Sequence, residues 1–234
     1  MSLKELKSLL RKNANKDQAK NLQWFFKTGP GDYGEGDIFL GIKVPVLRSI
    51  AKKFTDLSID ELHELLSSKF HEERLAALMI LVLKFPKSSD KGKKFIFDFY
   101  LKNTKHINNW DLVDLSSPQI VGGYLINKDK NILAKLASSK ILWEKRISIL
   151  ATFQFIKSNH FETSIMIAEK LLNDDHDLIH KAVGWMLREI GKRNLETEEM
   201  FLQQHYKSMP RTMLRYAIEK FPEEKRQAYL KSKI

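Results

Sequence analysis

The most chemically suggestive stretch of the sequence is Asn109-Trp110-Asp111-Leu112-Val113-Asp114. If it begins a helix, Trp110 and Asp114 share one face because they are four residues apart. Asp111 then occupies the first turn, where the helix dipole favours a carboxylate. An indole face and a carboxylate that point the same way can together stabilise a positive charge. The structural alternative is a partly buried Trp with one capping and one solvated Asp.

Composition restricts the classes of protein to consider. The chain has 234 residues and no cysteine, which excludes disulfides, thiolate metal sites and thiol nucleophiles. It shows neither a signal peptide nor an apolar run of ~18 residues, so we expect no membrane attachment and a cytoplasmic location. The formal charge of +11 points to a polyanionic partner, with nucleic acid first and a membrane surface second.

Apolar residues recur at helical spacing along almost the whole chain, and no segment alternates for long enough to require a strand. Ser58 and Glu61 have the spacing of a capping box at a helix start. Residues 1–35 carry weaker signals, of two helices and a Gly-rich loop. We predict an all-α fold in one domain, residues 1–234, with later helices over 71–85, 90–102, 109–126, 130–138, 141–158, 160–172, 177–192, 196–207, 211–220 and 222–231.

Four of these helices carry a basic residue followed by small and branched apolar residues, at Arg74, Arg146, Lys181 and Arg215. The offsets are 72, 35 and 34 residues, and the Trp110 helix fills the gap between the first two. A period of this length with two helices per unit is typical of a HEAT-like solenoid. The repeat therefore predicts a helical superhelix with a long concave surface.

The repeat register aligns Trp110 with Arg146 and Lys181, and Asp114 with Leu150 and Trp185. A carboxylate, two tryptophans and two cations would then share one face of consecutive repeats, which predicts a basic cleft. Two structural alternatives remain: Trp185 could be a core residue, and Arg146 could bond the helix ends of its neighbour.

Several segments resemble those of one known family, the AlkD-type DNA glycosylases, which are bacterial DNA alkylation repair enzymes built on HEAT-like repeats. The resemblance runs in order from about residue 35 to the C-terminus. It is carried by Asp37–Arg48, Asn109–Asp114, Leu142–Arg146, His180–Glu189 and Met209–Ala217.

The resemblance implies excision of cationic N3- and N7-alkylated purines from double-stranded DNA, without flipping of the damaged base into a deep pocket. It places Asp114 at the catalytic carboxylate position and Trp110 and Trp185 at the two aromatic positions that flank the sugar. It places Arg146 near the DNA backbone. Lys181, Arg188 and Arg215 extend the predicted DNA-binding set.

We expect no cofactor and no metal. His176 and His180 have a zinc-compatible spacing but lack a third ligand nearby, so we interpret them as the start of a helix capped by Asp175 or Asp177. We expect a monomer that associates with the bacterial nucleoid when it is bound to DNA. Two other functions stay open: a non-catalytic HEAT-repeat protein that recognises unusual DNA structure, and a protein-binding scaffold, which the charge disfavours.

Overall fold

The computed structural model describes every residue from Met1 to Ile234, and the predicted all-α fold is confirmed. The only β pairing is one isolated bridge between Ile38 and Phe70. None of the helices has both the length and the apolar character needed to cross a membrane. The sixteen α-helices are α1 (Leu3–Lys12), α2 (Lys16–Phe25), α3 (Val44–Ala51), α4 (Ile59–Leu66), α5 (His71–Lys84), α6 (Asp90–Lys102), α7 (Trp110–Asp114), α8 (Gly123–Leu125), α9 (Asn131–Ala137), α10 (Leu142–Ala151), α11 (Phe153–Lys157), α12 (Glu162–Lys170), α13 (Asp177–Gly191), α14 (Leu195–His205), α15 (Arg211–Ala217) and α16 (Glu223–Leu230).

The helices form two compact units, Met1–Ser116 and Ser117–Ile234. In the first unit α5 packs against α3 and α4, and α1 packs against α3. In the second unit α9 packs against α10, α12 against α13, and α13 also against α14 and α15. This succession of packed helix pairs is consistent with the predicted helical repeat, because each pair buries its apolar faces against its neighbour. The single domain expected from the sequence stays a prediction.

Local capping signals explain where several helices begin. The Ser58 hydroxyl accepts from the Glu61 N–H at 3.3 Å, and the Ser58 N–H donates to the Glu61 carboxylate at 2.8 Å, which confirms the capping box of α4. Ser2 and Glu5 form the same arrangement at α1.

Two predicted helices are interrupted. The prediction of one helix over 109–126 is wrong: α7 ends at Asp114, and Pro118–Gly122 forms a π-helical turn before α8. Pro118 has no N–H to continue the helix, and the Ser116 hydroxyl donates to the Leu112 carbonyl at 2.5 Å. The helix predicted over 141–158 is divided at Thr152, whose hydroxyl donates to the Ile149 carbonyl at 2.7 Å.

One acidic residue of the second unit lies in its core. Glu198 on α14 is only 2% exposed, its Oε1 has no hydrogen-bond partner, and its carboxyl group packs against Gly191 at the end of α13. Burial, reinforced by the neighbouring Glu199 and opposed by Arg188, raises the pKa of Glu198 to about 8. The carboxyl group is therefore mostly protonated at neutral pH.

Replacing this acid with its neutral isostere should stabilise the protein. The unfolded chain releases the Glu198 proton near pH 4.5 and the folded chain near pH 8, so folding loses stability as the pH rises between these values. At about 1.4 kcal/mol per pH unit, Glu198→Gln should raise the free energy of unfolding at pH 7 by about 3 kcal/mol. Urea unfolding from pH 4 to 9 measures this. The exposed Glu196→Gln is the matched control and should leave the pH dependence unchanged.

Candidate functional site

The helix that carries Trp110 and Asp114 is short and is capped by a neighbouring side chain. The Asn109 side chain accepts the N–H of Trp110 at 2.8 Å, so neither Asp111 nor Asp114 is the cap. Trp110 and Asp114 are half-buried, whereas Asp111 is buried. Asp111 lies in the first turn, as predicted, and its side chain is buried there. Asp114 is therefore the more accessible of the two carboxylates.

The buried Tyr100 lies close enough to Asp114 for the two side chains to interact electrostatically. The Tyr100 hydroxyl is 2.9 Å from the Ser116 hydroxyl, which itself donates to a backbone carbonyl, so Tyr100 is the donor of the pair. Burial raises the pKa of Tyr100 and the negative charge of Asp114 raises it further, although the hydrogen bond with Ser116 opposes them. The phenol of Tyr100 therefore stays protonated at neutral pH.

A buried network of charges fixes α7 to the rest of the first unit. His71, the first residue of α5, lies between two carboxylates, with Nδ1 3.0 Å from Asp37 and Nε2 2.8 Å from Asp111. Arg74 donates to the other oxygen of Asp37 at 2.5 Å, and the Asn109 side chain donates to Asp37 at 3.2 Å. Two cations and two anions thus balance one another inside the protein.

A carboxylate at each ring nitrogen favours the protonated form of His71. Ionised carboxylates accept hydrogen bonds and cannot donate them. With Asp37 and Asp111 both ionised, each ring nitrogen of His71 must therefore donate. Burial alone lowers the pKa of His71, but the charge and hydrogen bond of Asp111 and the hydrogen bond of Asp37 outweigh it and raise the pKa to about 9. Burial also opposes the charged form of Asp37, which by itself would raise the pKa of that carboxyl group. His71 and Arg74 outweigh this effect and hold the pKa below its usual value.

A buried carboxylate of α5, that of Glu72, shapes the loop that follows α2. Glu72 accepts three backbone N–H groups, those of Leu40 and Gly41 at 2.8 Å and that of Ile42 at 3.1 Å. Gly41 has φ +82°, and a Cβ there would lie 2.0 Å from the carbonyl oxygen of Asn15. The loop can therefore run this close to the start of α2 only with glycine at this position.

This loop and α2 supply an aromatic column behind Trp110. The ring of Trp110 stacks on Phe26 with centroids 4.9 Å apart, Phe26 stacks on Phe39 at 5.0 Å, and Phe39 stacks on His71 at 4.4 Å. Phe25 meets Trp110 edge-on at 5.9 Å. One side of the indole is thereby covered by packing, which restricts the orientation of Trp110 relative to α7.

In the second unit, Arg146 occupies a structural position. It lies on α10, is buried, and its Nη1 donates to the carbonyl oxygen of Leu178 in the first turn of α13 at 2.6 Å. This contact agrees with the alternative in which Arg146 bonds the helix ends of its neighbour. Its role in DNA binding stays a prediction.

The other predicted residues of the second unit are more accessible. Lys181 forms an ion pair with Asp177 at 2.7 Å with a partly exposed side chain, and Arg215 is exposed. Arg188 forms an ion pair with Glu219. Trp185 is half-buried and its ring nitrogen donates to Glu189 at 3.3 Å, with Phe153 beside the indole.

The two histidines at the start of α13, His176 and His180, contact backbone groups a few residues away in the sequence. His176 is itself the helix cap, because its Nδ1 accepts the Leu178 N–H at 3.1 Å, so the prediction of capping by Asp175 or Asp177 is wrong. The ring of His180 contacts the carbonyl oxygen of Asp174. Nowhere in the chain do three or more His, Asp or Glu side chains converge so that they could hold a metal ion.

The fold and this arrangement define a class: an all-α repeat protein with a half-buried carboxylate beside a stacked tryptophan. The sequence profile of the family described as "DNA alkylation repair enzyme" matches residues 6–221, so the chain belongs to that family. No curated protein sequence gives a significant match. A solved structure described as a predicted DNA alkylation repair enzyme from Enterococcus faecalis is similar with a TM-score of 0.70 and 14% identity, over 90% of this chain and 98% of that one. At this identity the similarity establishes the fold.

The sequence did not reveal the charge network around His71. Its members are separated by 34 and 40 residues along the chain, so no local spacing connects them. One signal was present: four consecutive charged or titratable residues, His71 to Arg74, begin a helix that is otherwise largely apolar, and all four are buried. Buried charges need partners, so such a cluster indicates carboxylates and cations elsewhere in the fold.

Proposed function

We propose that this protein is a DNA glycosylase that hydrolyses the N-glycosidic bond of cationic N3- and N7-alkylated purines in duplex DNA. Family membership supports alkylation repair with DNA as the partner. The observation that carries the finer proposal is Asp114, a half-buried carboxylate one turn from a tryptophan whose other side is fixed by packing. A protein that only binds DNA gains nothing from a carboxylate facing phosphates.

The chemistry needs only one carboxylate. Enzymes that cleave ordinary glycosides use one acid to protonate the leaving group and a second carboxylate at the sugar. An N7- or N3-alkylpurine already carries a positive charge, so its bond to C1′ breaks with the electron pair going to the base, which leaves neutral. Water then bonds to C1′ and gives up a proton, and the products are the free base and an abasic site. Neutral lesions with poor leaving groups should therefore be poor substrates.

The carboxylate and the two tryptophans are proposed to stabilise the charge that develops on the sugar, and the basic residues to hold the DNA. Asp114 stabilises the oxocarbenium-like sugar and holds the attacking water. Trp110 presents to the sugar cation the side of the indole that is not stacked on Phe26. Trp185 is proposed as the second aromatic on the strength of the family resemblance. Arg146, Lys181, Arg188 and Arg215 are proposed to contact the DNA backbone. We further propose that the protein acts as a monomer in the cytoplasm, on nucleoid DNA.

The test is release of base from methylated duplex DNA. The full chain is incubated with duplex carrying N7-methylguanine and N3-methyladenine, and free bases are quantified by chromatography. Time-dependent release of both supports the proposal. A chain that binds this DNA but releases neither base would instead be a non-catalytic binder of unusual DNA structure.

The proposed backbone contacts predict a change in salt dependence. Each lost phosphate contact should reduce the slope of log affinity against log salt by about 0.9. We expect this for Lys181→Ala and for Arg215→Ala, measured by fluorescence anisotropy over a range of salt concentrations. Lys135→Ala is the matched control, because Lys135 is exposed on α9, the first helix of its pair. Equal slopes for all three variants would assign Lys181 and Arg215 to other roles.

A further inference from the structure

The exposed face of α2 carries cations and one aromatic residue in a single stripe. Lys16, Lys20 and Trp24 follow one another at four-residue spacing, and Lys27 lies just beyond the end of the helix. All four are exposed, and none of the three lysines takes part in a salt bridge. Residues spaced in this way lie one above another on a helix surface. Asp17 is the only acidic residue of the helix and lies in its first turn.

Trp24 is unusual among the large side chains of the chain because it is 84% exposed. Burial of an indole removes some 150–250 Å² from water and is strongly favourable, so a tryptophan left in solvent forgoes much stabilisation. The packing of α2 does not require it, since the opposite face supplies Ala19, Leu22 and Phe26 to the core. Trp24 thus contributes little to the fold, which favours a role in recognition.

The position of α2 indicates which ligand the stripe meets. Phe25, the residue after Trp24, lies edge-on to Trp110 with ring centroids 5.9 Å apart. The Trp24 end of the stripe therefore lies near α7, the helix that carries Asp114. Lysines that track a backbone and an aromatic ring that accepts a base are the two elements of surfaces that bind unpaired nucleic acid.

We propose that the α2 stripe, Lys16, Lys20, Trp24 and Lys27, binds a DNA strand next to the lesion, with the lysines on phosphates and the indole stacked on an unpaired base. This rests on the proposed DNA substrate and adds a contact for a base that has lost its partner. A paired base is already stacked on both sides and offers Trp24 no free face, so the contact distinguishes damaged from intact duplex.

A membrane surface fits the stripe less well. An interfacial helix needs a wide apolar face, whereas the apolar residues that α2 exposes are Trp24 and Phe25 at its end. The remaining apolar side chains of the helix face the core of the unit.

The experiment compares two duplexes that differ at one position. One contains a tetrahydrofuran abasic analogue, which leaves the opposite base unpaired, and the other is fully paired. We expect Trp24→Ala to weaken binding of the full chain to the abasic duplex about tenfold, as loss of one stacked base does, and to the paired duplex less than twofold. Trp24→Phe should restore most of the difference, because a benzene ring still stacks. Lys20→Ala should reduce the salt slope by about 0.9.

The first unit offers a matched pair of controls. Lys91 and Phe95 on α6 have the same four-residue spacing as Lys20 and Trp24, and Phe95 is 54% exposed. Lys91→Ala and Phe95→Ala should change neither the preference for the abasic duplex nor the salt slope. The proposal is overturned if Trp24→Ala affects both duplexes equally or neither, or if it instead abolishes binding to anionic phospholipid vesicles.

The readout is binding, so the two proposals can fail separately. If the wild type prefers the abasic duplex through Trp24 but releases no methylated base, only the glycosylase proposal fails. If the wild type releases base and Trp24→Ala keeps the preference for the abasic duplex, only the α2 proposal fails.

Discussion

Asp114→Asn is expected to slow release of N7-methylguanine from methylated duplex DNA by about a hundredfold or more, with DNA affinity unchanged or slightly higher. The amide keeps the shape of the side chain but removes the negative charge that opposes the cationic sugar. Loss of one preorganised electrostatic group typically costs 10²–10³ in rate. Single-turnover release with enzyme in excess measures the chemical step, and anisotropy on the same duplex measures affinity. A slightly tighter complex is reasonable because a negative charge near phosphates has been removed.

The control for this variant is another carboxylate of the first unit. Asp56 is exposed and lies outside the helices, so Asp56→Asn removes the same charge without touching α7. It should release base at the wild-type rate. If Asp114→Asn stays within threefold of the wild type while the wild type is active, Asp114 is not the catalytic carboxylate and the role passes to another group.

Helices with local capping signals were predictable from the sequence. The segments predicted over 71–85 and 90–102 coincide within a residue with α5 and α6, and the capping box at Ser58 lies where the spacing placed it. Caps work this way because the donor and acceptor are three residues apart and need no tertiary partner. The interruptions at Ser116 and Thr152 were not predictable with the same ease, since a hydroxyl in a helix can either back-bond to the preceding turn or face solvent.

The repeat register predicted which helices carry equivalent basic residues but not what those residues contact. Arg74 and Arg146 both lie on the second helix of a pair, as the register requires, and both are buried with a guanidinium bonded to a backbone carbonyl, that of Ser68 or Leu178. Position in a repeat is a property of local spacing. Burial and hydrogen bonding depend on the neighbouring repeat, whose packing the sequence period does not specify.

The support beneath the candidate carboxylate was the least predictable part. Asp111 was interpreted as a helix-start residue, which the structure confirms, but its bond to His71 joins α7 to α5 across 40 residues of sequence. Asp37 adds a loop 34 residues before His71. Nothing in the local sequence marks either carboxylate as buried. In the structure His71 neutralises both of them, and Arg74 also pairs with Asp37.

His71→Gln should therefore lower the free energy of unfolding at pH 6 by about 3–5 kcal/mol. Glutamine can still donate hydrogen bonds through its NH2 group, but it carries no charge and cannot neutralise Asp37 and Asp111, and an unpaired buried charge has a cost of this size. The pH dependence should change as well. The pKa of His71 is raised to about 9 in the folded protein against 6.5 when unfolded, so its contribution is complete below pH 6.5 and is lost as the pH rises through 9. The difference between wild type and His71→Gln should shrink over that range.

The measurement is best made in the Glu198→Gln background, because Glu198 also reduces stability as the pH rises and its range overlaps that of His71. Urea unfolding at pH 6, 7, 8, 9 and 10 then follows His71 alone, and its stabilising contribution should fall by about 3 kcal/mol overall. His160→Gln, an exposed histidine in the loop after α11, is the control and should change the free energy by less than about 0.5 kcal/mol at every pH. Parallel stability curves for wild type and His71→Gln would show that the imidazole is neutral in the folded protein. In that case one of its two carboxylate partners must itself carry a proton.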